Sequence, residues 1–384
     1  MFGWLLGNPA NYCRSKCGNS SFAVDINLFG RLTGALFVVY NTDMVKGFWE
    51  LLRKPIIGMS PMDGVTDAPW RFIAKKYGNP DVIYTEFVSA EGLWRVKKRN
   101  DIESKIWRDL KYDESERPIV AQLFGSDPAS FYEAAKIICE LGFDGVDINM
   151  GCPSPGLEKR GGGAGLMRKP ELAREIIEET RRGVADWSKE NNKEEIPVSV
   201  KTRVGSVKTD EKWWEFLSEM KLPAVAMHGR SFKQLYSGEA DWDTLTEAAK
   251  IIRSKDTLFF ANGDIKKVRV ENNKLIVNLV NGLEIDTDNF DGVLIGRQAM
   301  GNPWAFRTDG YEPSIKEKLV VAIEHSIKYE EIFSGEKFFA MRKHLAWYAH
   351  GSSNVGELRR KLVMANASDE VKTAVDDYLL ETGL

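Results

Sequence analysis

Eight short apolar runs, most ending in a polar residue, constrain this chain more than any other feature: Ile56–Met59, Val82–Thr85, Ile119–Gln122, Gly145–Asn149, Val198–Lys201, Ala224–His228, Leu258–Asn262 and Gly292–Ile295. Between most of them lie segments of helical period, among them Pro128–Leu141, Pro170–Val184, Trp213–Met220 and Trp242–Arg253. Buried strands alternating with amphipathic helices predict a (β/α)8 TIM barrel of the α/β class. An open doubly wound sheet is the alternative, because strand number alone does not prove closure.

Three regions depart from this rhythm. After Asn262-Gly263-Asp264 a helix is due, yet Val268–Val270, Lys274–Leu279 and Leu283–Ile285 read as strands. The turns Asn272-Asn273 and Asn281-Gly282 separate them, and Asn-Gly is a strong hairpin signal. We therefore expect a β-meander inserted at 265–290. Beyond Trp304 the pattern becomes purely helical (Ser314–Ser334, Phe338–Ala349, Val355–Met364, Ser368–Leu380), with Ser368 as the N-cap of the last helix. Residues 1–48 carry no clear period and form an extension of unknown structure. Met44 is a candidate translation start, which intact mass of the native protein would decide. The domain reading is thus extension 1–48, barrel 49–308 and an all-helical domain 309–384.

Composition excludes several classes. At 384 residues with 43% hydrophobic and 28% charged content, the chain reads as a large soluble protein. No apolar run approaches the roughly 20 residues of a membrane span, and Met1–Leu6 lacks a basic signal region, so a cytoplasmic location is expected. Four cysteines are too few for a disulfide scaffold. Cys13 and Cys17 have no second Cys/His pair to complete a zinc site, so no metal is expected. Cys139 reads as a small buried apolar residue. The net charge of −3 requires any nucleic acid to be held by local basic patches. No obligate protein partner is evident.

The ends of the strands carry the chemistry, because barrel active sites lie at the C-terminal ends of the strands. Read in turn they present Ser60-Pro61-Met62, Glu86, Gln122, Asn149 with Cys152, Lys201 with Arg203, His228 with Arg230, Asn262-Gly263-Asp264 and Gly296-Arg297. This describes one wide, cationic, amide-rich site. Lys201, Arg203, Arg230 and Arg297 suit an anion, and Gly263 and Gly296 allow close backbone approach, so a phosphate-bearing cofactor is expected. Gln122, Asn149 and Lys201 suit the edge of a flat heterocycle. Glu86 and Asp264 read as residues that hold loops in place. Cys152, between Gly151 and Pro153, is a candidate nucleophile or general acid. A nucleophile needs a group that lowers its pKa, whereas a general acid needs only to keep its proton.

These motifs together closely resemble the tRNA-dihydrouridine synthases, FMN-dependent barrel enzymes. The matching pieces are Ser60–Asp67, Val120–Gly125, Asp147–Pro153, Val200–Arg203, Met227–Arg230, Ala261–Asp264, Ile295–Arg297 and, among the helices, Met341–Leu345 with Trp347-Tyr348. The resemblance implies that NADPH (or NADH) reduces FMN, that hydride passes to C6 of a flipped-out uracil in tRNA, and that Cys152 protonates C5. It implies flavin contacts at Pro61, Met62, Asp63, Gln122, Lys201, His228, Asn262, Gly263, Asp264, Gly296 and Arg297. It places Asn149 and Arg203 near the uracil or flavin edge. Candidate RNA grips are Lys159-Arg160, on the loop that carries Cys152, and Arg342-Lys343-His344; Arg95–Arg99 and Arg359–Lys361 are weaker ones. The competing readings are an FMN barrel acting on a small molecule, as dihydroorotate dehydrogenases do, and a non-catalytic RNA-binding protein.

Overall fold

A computed structural model describes residues 44–350 and 355–384. The readings made for residues 1–43, including Cys13 and Cys17, lie outside the described residues.

Among the described residues twelve strands run in chain order: β1 (Ile56–Met59), β2 (Ile83–Tyr84), β3 (Val88–Ser89), β4 (Ile119–Phe124), β5 (Gly145–Asn149), β6 (Val198–Arg203), β7 (Ala224–His228), β8 (Leu258–Asn262), β9 (Ile265–Glu271), β10 (Lys274–Leu279), β11 (Glu284–Asp286) and β12 (Gly292–Ile295). Eight of them pair in the order β1-β12-β8-β7-β6-β5-β4-β2, every pairing parallel. A parallel bridge between Gly58 and Val82 closes the ring, with Met59 N donating to Val82 O at 2.9 Å. Closure removes both sheet edges and sets aside the open-sheet alternative. The helices are α1 (Ala68–Gly78), α2 (Ala90–Arg99), α3 (Lys105–Asp109), α4 (Pro128–Glu140), α5 (Pro155–Lys159), α6 (Pro170–Asn191), α7 (Glu211–Glu219), α8 (Trp242–Ile252), α9 (Ile315–Ile332), α10 (Met341–Tyr348), α11 (Gly356–Met364) and α12 (Ser368–Thr382).

Period-two alternation sorts each barrel strand into two faces. Ile57, Met59, Ala121, Leu123, Ile148, Val200, Val225, Met227, Phe259 and Ile295 point outward into the core beneath the helices. Ile56, Val82, Tyr84, Val120, Ala224, Ala226, Phe260 and Leu294 form a separate interior cluster with Trp49. Trp49 sits in a 3-10 turn, Gly47–Leu51, with its ring 5.3 Å from that of Phe260. Phe48 packs against the same cluster, so the fold takes in the last residues of the expected extension. A single apolar turn has no period to read, which is why the sequence pattern starts later. The mouth-side loops are held by aspartate N-caps: Asp67, Asp127, Asp210 and Asp241 accept from the backbone N–H of Trp70, Ser130, Trp213 and Thr244.

The meander is present as β9, β10 and β11, an antiparallel sheet of its own. Asn272 and Asn273 both take positive φ, as a tight hairpin turn requires. Val268, Leu275, Val277 and Leu279 bury one face of it.

Helix α9 packs on α1, α10 and α12 pack on α9, α11 packs on α10 and α12, and all share the hydrophobic core. Trp70 of α1 lies 5.7 Å from His325, 5.8 Å from His344 and 6.4 Å from Tyr348, ring to ring. Ser314 starts α9 with a capping box to Glu317. Ser368 does not cap α12 as expected: its N–H and hydroxyl both donate to the Glu330 carboxylate, at 2.8 and 2.5 Å, and the N-cap position falls to Ala367. A tertiary clamp on α9 has replaced the local cap.

Candidate active site

The inward face of the strands changes from apolar at the floor to polar at the mouth. Asp147 and Asn149 on β5, Ser199, Lys201 and Arg203 on β6, His228 on β7 and Asn262 on β8 follow that face at two-residue spacing. Above them opens a cavity of about 880 Å³. Its lining includes Pro61, Met62, Asp63, Gln122, Asn149, Cys152, Lys201, Arg203, His228, Asn262, Gly263, Asp264, Gly296 and Arg297. The motifs scattered over the sequence therefore converge on one place.

A hydrogen-bonded chain organises the amides. Ser199 Oγ donates to Asp147 Oδ1 at 2.6 Å, and Gln122 Nε2 donates to Asp147 Oδ2 at 2.7 Å. Asn149 Nδ2 donates to Gln122 Oε1 at 2.9 Å, and Asn149 Oδ1 accepts from the N–H groups of Gly151 and Cys152 at 3.1 and 2.8 Å. One buried carboxyl thus fixes which way two amides face, and through them the backbone that carries Cys152. Burial raises the Asp147 pKa to about 6 against the opposing hydrogen bonds from Ser199 and Gln122. Sequence reasoning gives Asp147 no role of its own within its motif, although its place two residues before Asn149 is a usable signal.

The cations are less free than their number suggests. Burial, aided by Arg203, lowers Lys201 to about 8, and Lys201 Nζ donates to Asn262 Oδ1 at 3.2 Å. Arg203 ties the Cys152 turn down, with Nε donating to Gly151 O at 2.8 Å. Asp264 takes a bidentate pair from Arg230 at 2.8 and 2.7 Å, a contact from Arg297 at 3.0 Å and the Ala240 N–H at 2.8 Å. Arg230 Nε stays buried without a partner. Burial, reinforced by Arg203, Lys201, Arg230 and Arg297, keeps the His228 imidazole neutral. Its Nδ1 accepts from Arg230 N at 3.1 Å, so the proton sits on Nε2.

Cys152 is half-buried on its turn. Burial pushes its thiol pKa up, with Asp63 adding to the effect, so it stays protonated at neutral pH. A thiol that keeps its proton suits the general-acid reading of the two. The glycine run behind it is a packing requirement. Gly163 has φ +55, and a Cβ there would lie 3.0 Å from Cys152 O and 2.8 Å from Leu157 Cδ2. Lys159 and Arg160 end α5 on the same loop, both exposed.

The other predicted RNA contacts land elsewhere. His344 is a correction: it is fully buried between Trp70 and His325, and burial holds it well below its ordinary pKa, so it is a packing residue. Arg342 is only partly exposed; it donates to Ala365 O, Met364 O and Asn366 Oδ1 at 3.0, 3.2 and 2.7 Å, closing the end of α11. Lys343 is half-buried and reaches toward Gly64. Within the weaker clusters, Arg95 pairs with Glu91, Lys97 with Glu140, Arg360 with Glu357 and Lys361 with Asp377. Glu86 behaves as expected of a loop holder, accepting the Gly64 N–H, and burial raises its pKa to about 7.

Fold and site together define a β/α-barrel enzyme with its cleft at the C-terminal mouth. The profile of the family described as "Dihydrouridine synthase (Dus)" matches residues 58–382, and the chain belongs to that family, one of flavin-dependent oxidoreductases. It is 31% identical over 343 residues to a "Probable tRNA-dihydrouridine synthase" of Staphylococcus aureus (strain MRSA252), covering 87% of this chain and 96% of the relative. It is 30% identical over 342 residues to "Probable tRNA-dihydrouridine synthase 2" of Bacillus subtilis (strain 168), covering 87% and 97%. Among solved structures, the old yellow enzyme homologue of Zymomonas mobilis aligns at 16% identity and TM-score 0.37 over 64% of this chain and 86% of that one, too loosely to bear on the chemistry. Among the described residues no helix is long and apolar enough to cross a membrane.

Proposed function

We propose that this protein is a tRNA-dihydrouridine synthase that saturates the C5–C6 bond of a uridine in tRNA, using FMN and NADPH (or NADH). The observation that carries the reading is the Cys152 thiol, its backbone N–H held by Asn149 Oδ1 at the rim of an amide- and cation-lined barrel mouth. The residues fit FMN. Gln122, Asn149, Lys201 and the His228 Nε2–H offer donors to a flat polar ring edge, while Arg230 Nε, buried and unpartnered, with Arg297 suits a phosphate. Pro61, Met62, Asp63, Asn262, Gly263, Asp264 and Gly296 complete that wall.

The chemistry supplied by a bound flavin is hydride transfer, from NAD(P)H to C6 of the uracil. The protein orients and protonates. Asp147, through Gln122, sets the Asn149 amide. Asn149 and Arg203 then hold the turn from which the Cys152 Sγ–H reaches C5, so one hydride and one proton saturate the bond. A stacked uridine must leave its helix to reach this depth, at a cost of about a few kcal/mol. Lys159 and Arg160 beside Cys152, with Lys343 and the helical domain 309–384, supply phosphate contacts that offset it. An open mouth with the exposed Lys159 and Arg160 on the Cys152 loop favours a polymer over a small molecule. The cytoplasm, where tRNA is modified, is the expected location.

The test is direct. Purified protein carries or takes up FMN, identified by mass after release. With NADPH it forms dihydrouridine in tRNA that lacks it. Protein that cannot be reconstituted with FMN, or that leaves such tRNA unchanged, contradicts the proposal.

A further inference from the structure

The inserted meander reaches the site. The turn between β10 and β11 places Leu279, Val280 and Asn281 in the wall of the same cavity as Cys152. Two contacts fix it there: Val280 N donates to Asp264 O at 2.9 Å, and Asn281 Nδ2 donates to Glu239 Oε2 at 2.7 Å, on the loop after β7. At this rim exposed apolar and aromatic groups stand beside the exposed Asn281 and Glu239, which are hydrogen-bonded to each other. Val280 is 63% exposed and Tyr236 62%, Leu283 follows in the same turn at 58%, and the Arg297 guanidinium lies over the Tyr236 ring at 4.8 Å.

Most basic side chains of the meander are otherwise engaged, with Lys266 of β9 the exposed exception among the described residues. Arg269 pairs with Glu271 and Glu284, Lys274 with Asp286 and Asp288, and Lys267 with Glu312. The β10–β11 turn itself, Val280-Asn281-Gly282-Leu283, has no basic residue, so a phosphate grip is not what it offers. Exposed apolar and aromatic surface continuous with the entrance for a flipped base suits the flat face of another base.

We propose that the β10–β11 turn, with Tyr236 opposite, is a platform for a nucleobase next to the target uridine, so that the insertion contributes to the choice of RNA. This rests on the tRNA reading of the site. Stacking of a base on a protein surface contributes about 1–3 kcal/mol, which corresponds to about 5- to 150-fold in affinity.

The experiment compares wild type with the double variant Val280→Ser/Leu283→Ser, using full-length flavin-loaded protein and a fluorescently labelled, unmodified tRNA transcript. Both side chains are exposed, so the core stays intact. Val280→Ile, which keeps the apolar face, serves as the rescue control. The double variant is expected to raise the Kd for tRNA about tenfold with the salt slope of binding unchanged, because every phosphate grip stays in place. Val280→Ile is expected to bind like wild type. An unchanged Kd in the double variant overturns the inference, as does a reduced salt slope. Slower flavin reduction by NADPH with RNA binding untouched overturns it too, by assigning the turn to the nicotinamide. Failure of the wild type to bind the transcript or to form dihydrouridine is a different result; it sinks the tRNA reading, and this inference with it.

Discussion

The Lys159-Arg160 pair and the Arg342-Lys343-His344 run look alike in sequence, and the fold gives them opposite surroundings. The first pair ends α5 in solvent, on the loop that holds Cys152. In the second run, His344 is fully buried against Trp70, Arg342 closes the end of α11 and Lys343 is half-buried near Gly64. Basic character alone therefore does not mark an RNA surface. What separates the two is whether the charged group must be satisfied inside the protein before any partner arrives.

The largest effect belongs to the exposed loop. Cys152→Ala should lower turnover on tRNA about 10²–10⁴-fold, the usual weight of a positioned general acid. Flavin content and tRNA affinity should stay near wild type. Rapid turnover in that variant would detach the loop from the chemistry and erase the contrast between the two clusters.

Next comes the buried histidine. His344→Ala should cost about 2–4 kcal/mol in denaturant unfolding, as truncation of a large buried side chain does. The salt slope of tRNA binding by the folded variant should not move. A changed slope with unchanged stability would return His344 to the RNA surface.

A buried carboxylate sharpens the same point through pH. The Glu86 pKa is raised from its ordinary 4.5 to about 7, so the folded state holds that proton more tightly than the unfolded chain. Its contribution to stability is present below about pH 4.5 and is lost as pH rises through about 7. Glu86→Gln can still accept the Gly64 N–H through its carbonyl. It should match wild type near pH 4.5 and exceed it by on the order of 3 kcal/mol at pH 8. Equal pH profiles for the two proteins would refute the assignment.

The smallest effect is the subtlest reading of the loop. Lys159→Ala/Arg160→Ala should weaken tRNA binding a few-fold and reduce the salt slope by about 0.7–0.9 for each phosphate left without its cation. A slope identical to wild type would leave both clusters without an RNA role.

Much of this is legible in the sequence. Five of the eight barrel runs match β1, β5, β7, β8 and β12 residue for residue, because apolar runs bounded by polar turns mark buried strands clearly. The strand-end residues converge as predicted because closing the barrel brings all its strand ends to one mouth. His344 is misread from its basic neighbours although a better signal is there: Met341, His344, Leu345 and Tyr348 fall on one helical face, and that face is buried. Asp147 can be found by the alternation along β5. Tyr236 and Val280 cannot, because they sit in turns whose path depends on tertiary contacts such as Asn281 with Glu239.

The central claim is that this barrel mouth delivers a hydride and the Cys152 proton to a uridine in tRNA. Its most direct test is a single turnover without oxygen: protein with its flavin already reduced is mixed with unmodified tRNA, and both flavin absorbance and dihydrouridine are followed. The account predicts reoxidation of the flavin with one dihydrouridine formed per flavin, and loss of both signals on that timescale in Cys152→Ala. A flavin that stays reduced in the presence of tRNA, or that reoxidises without forming dihydrouridine, would contradict it.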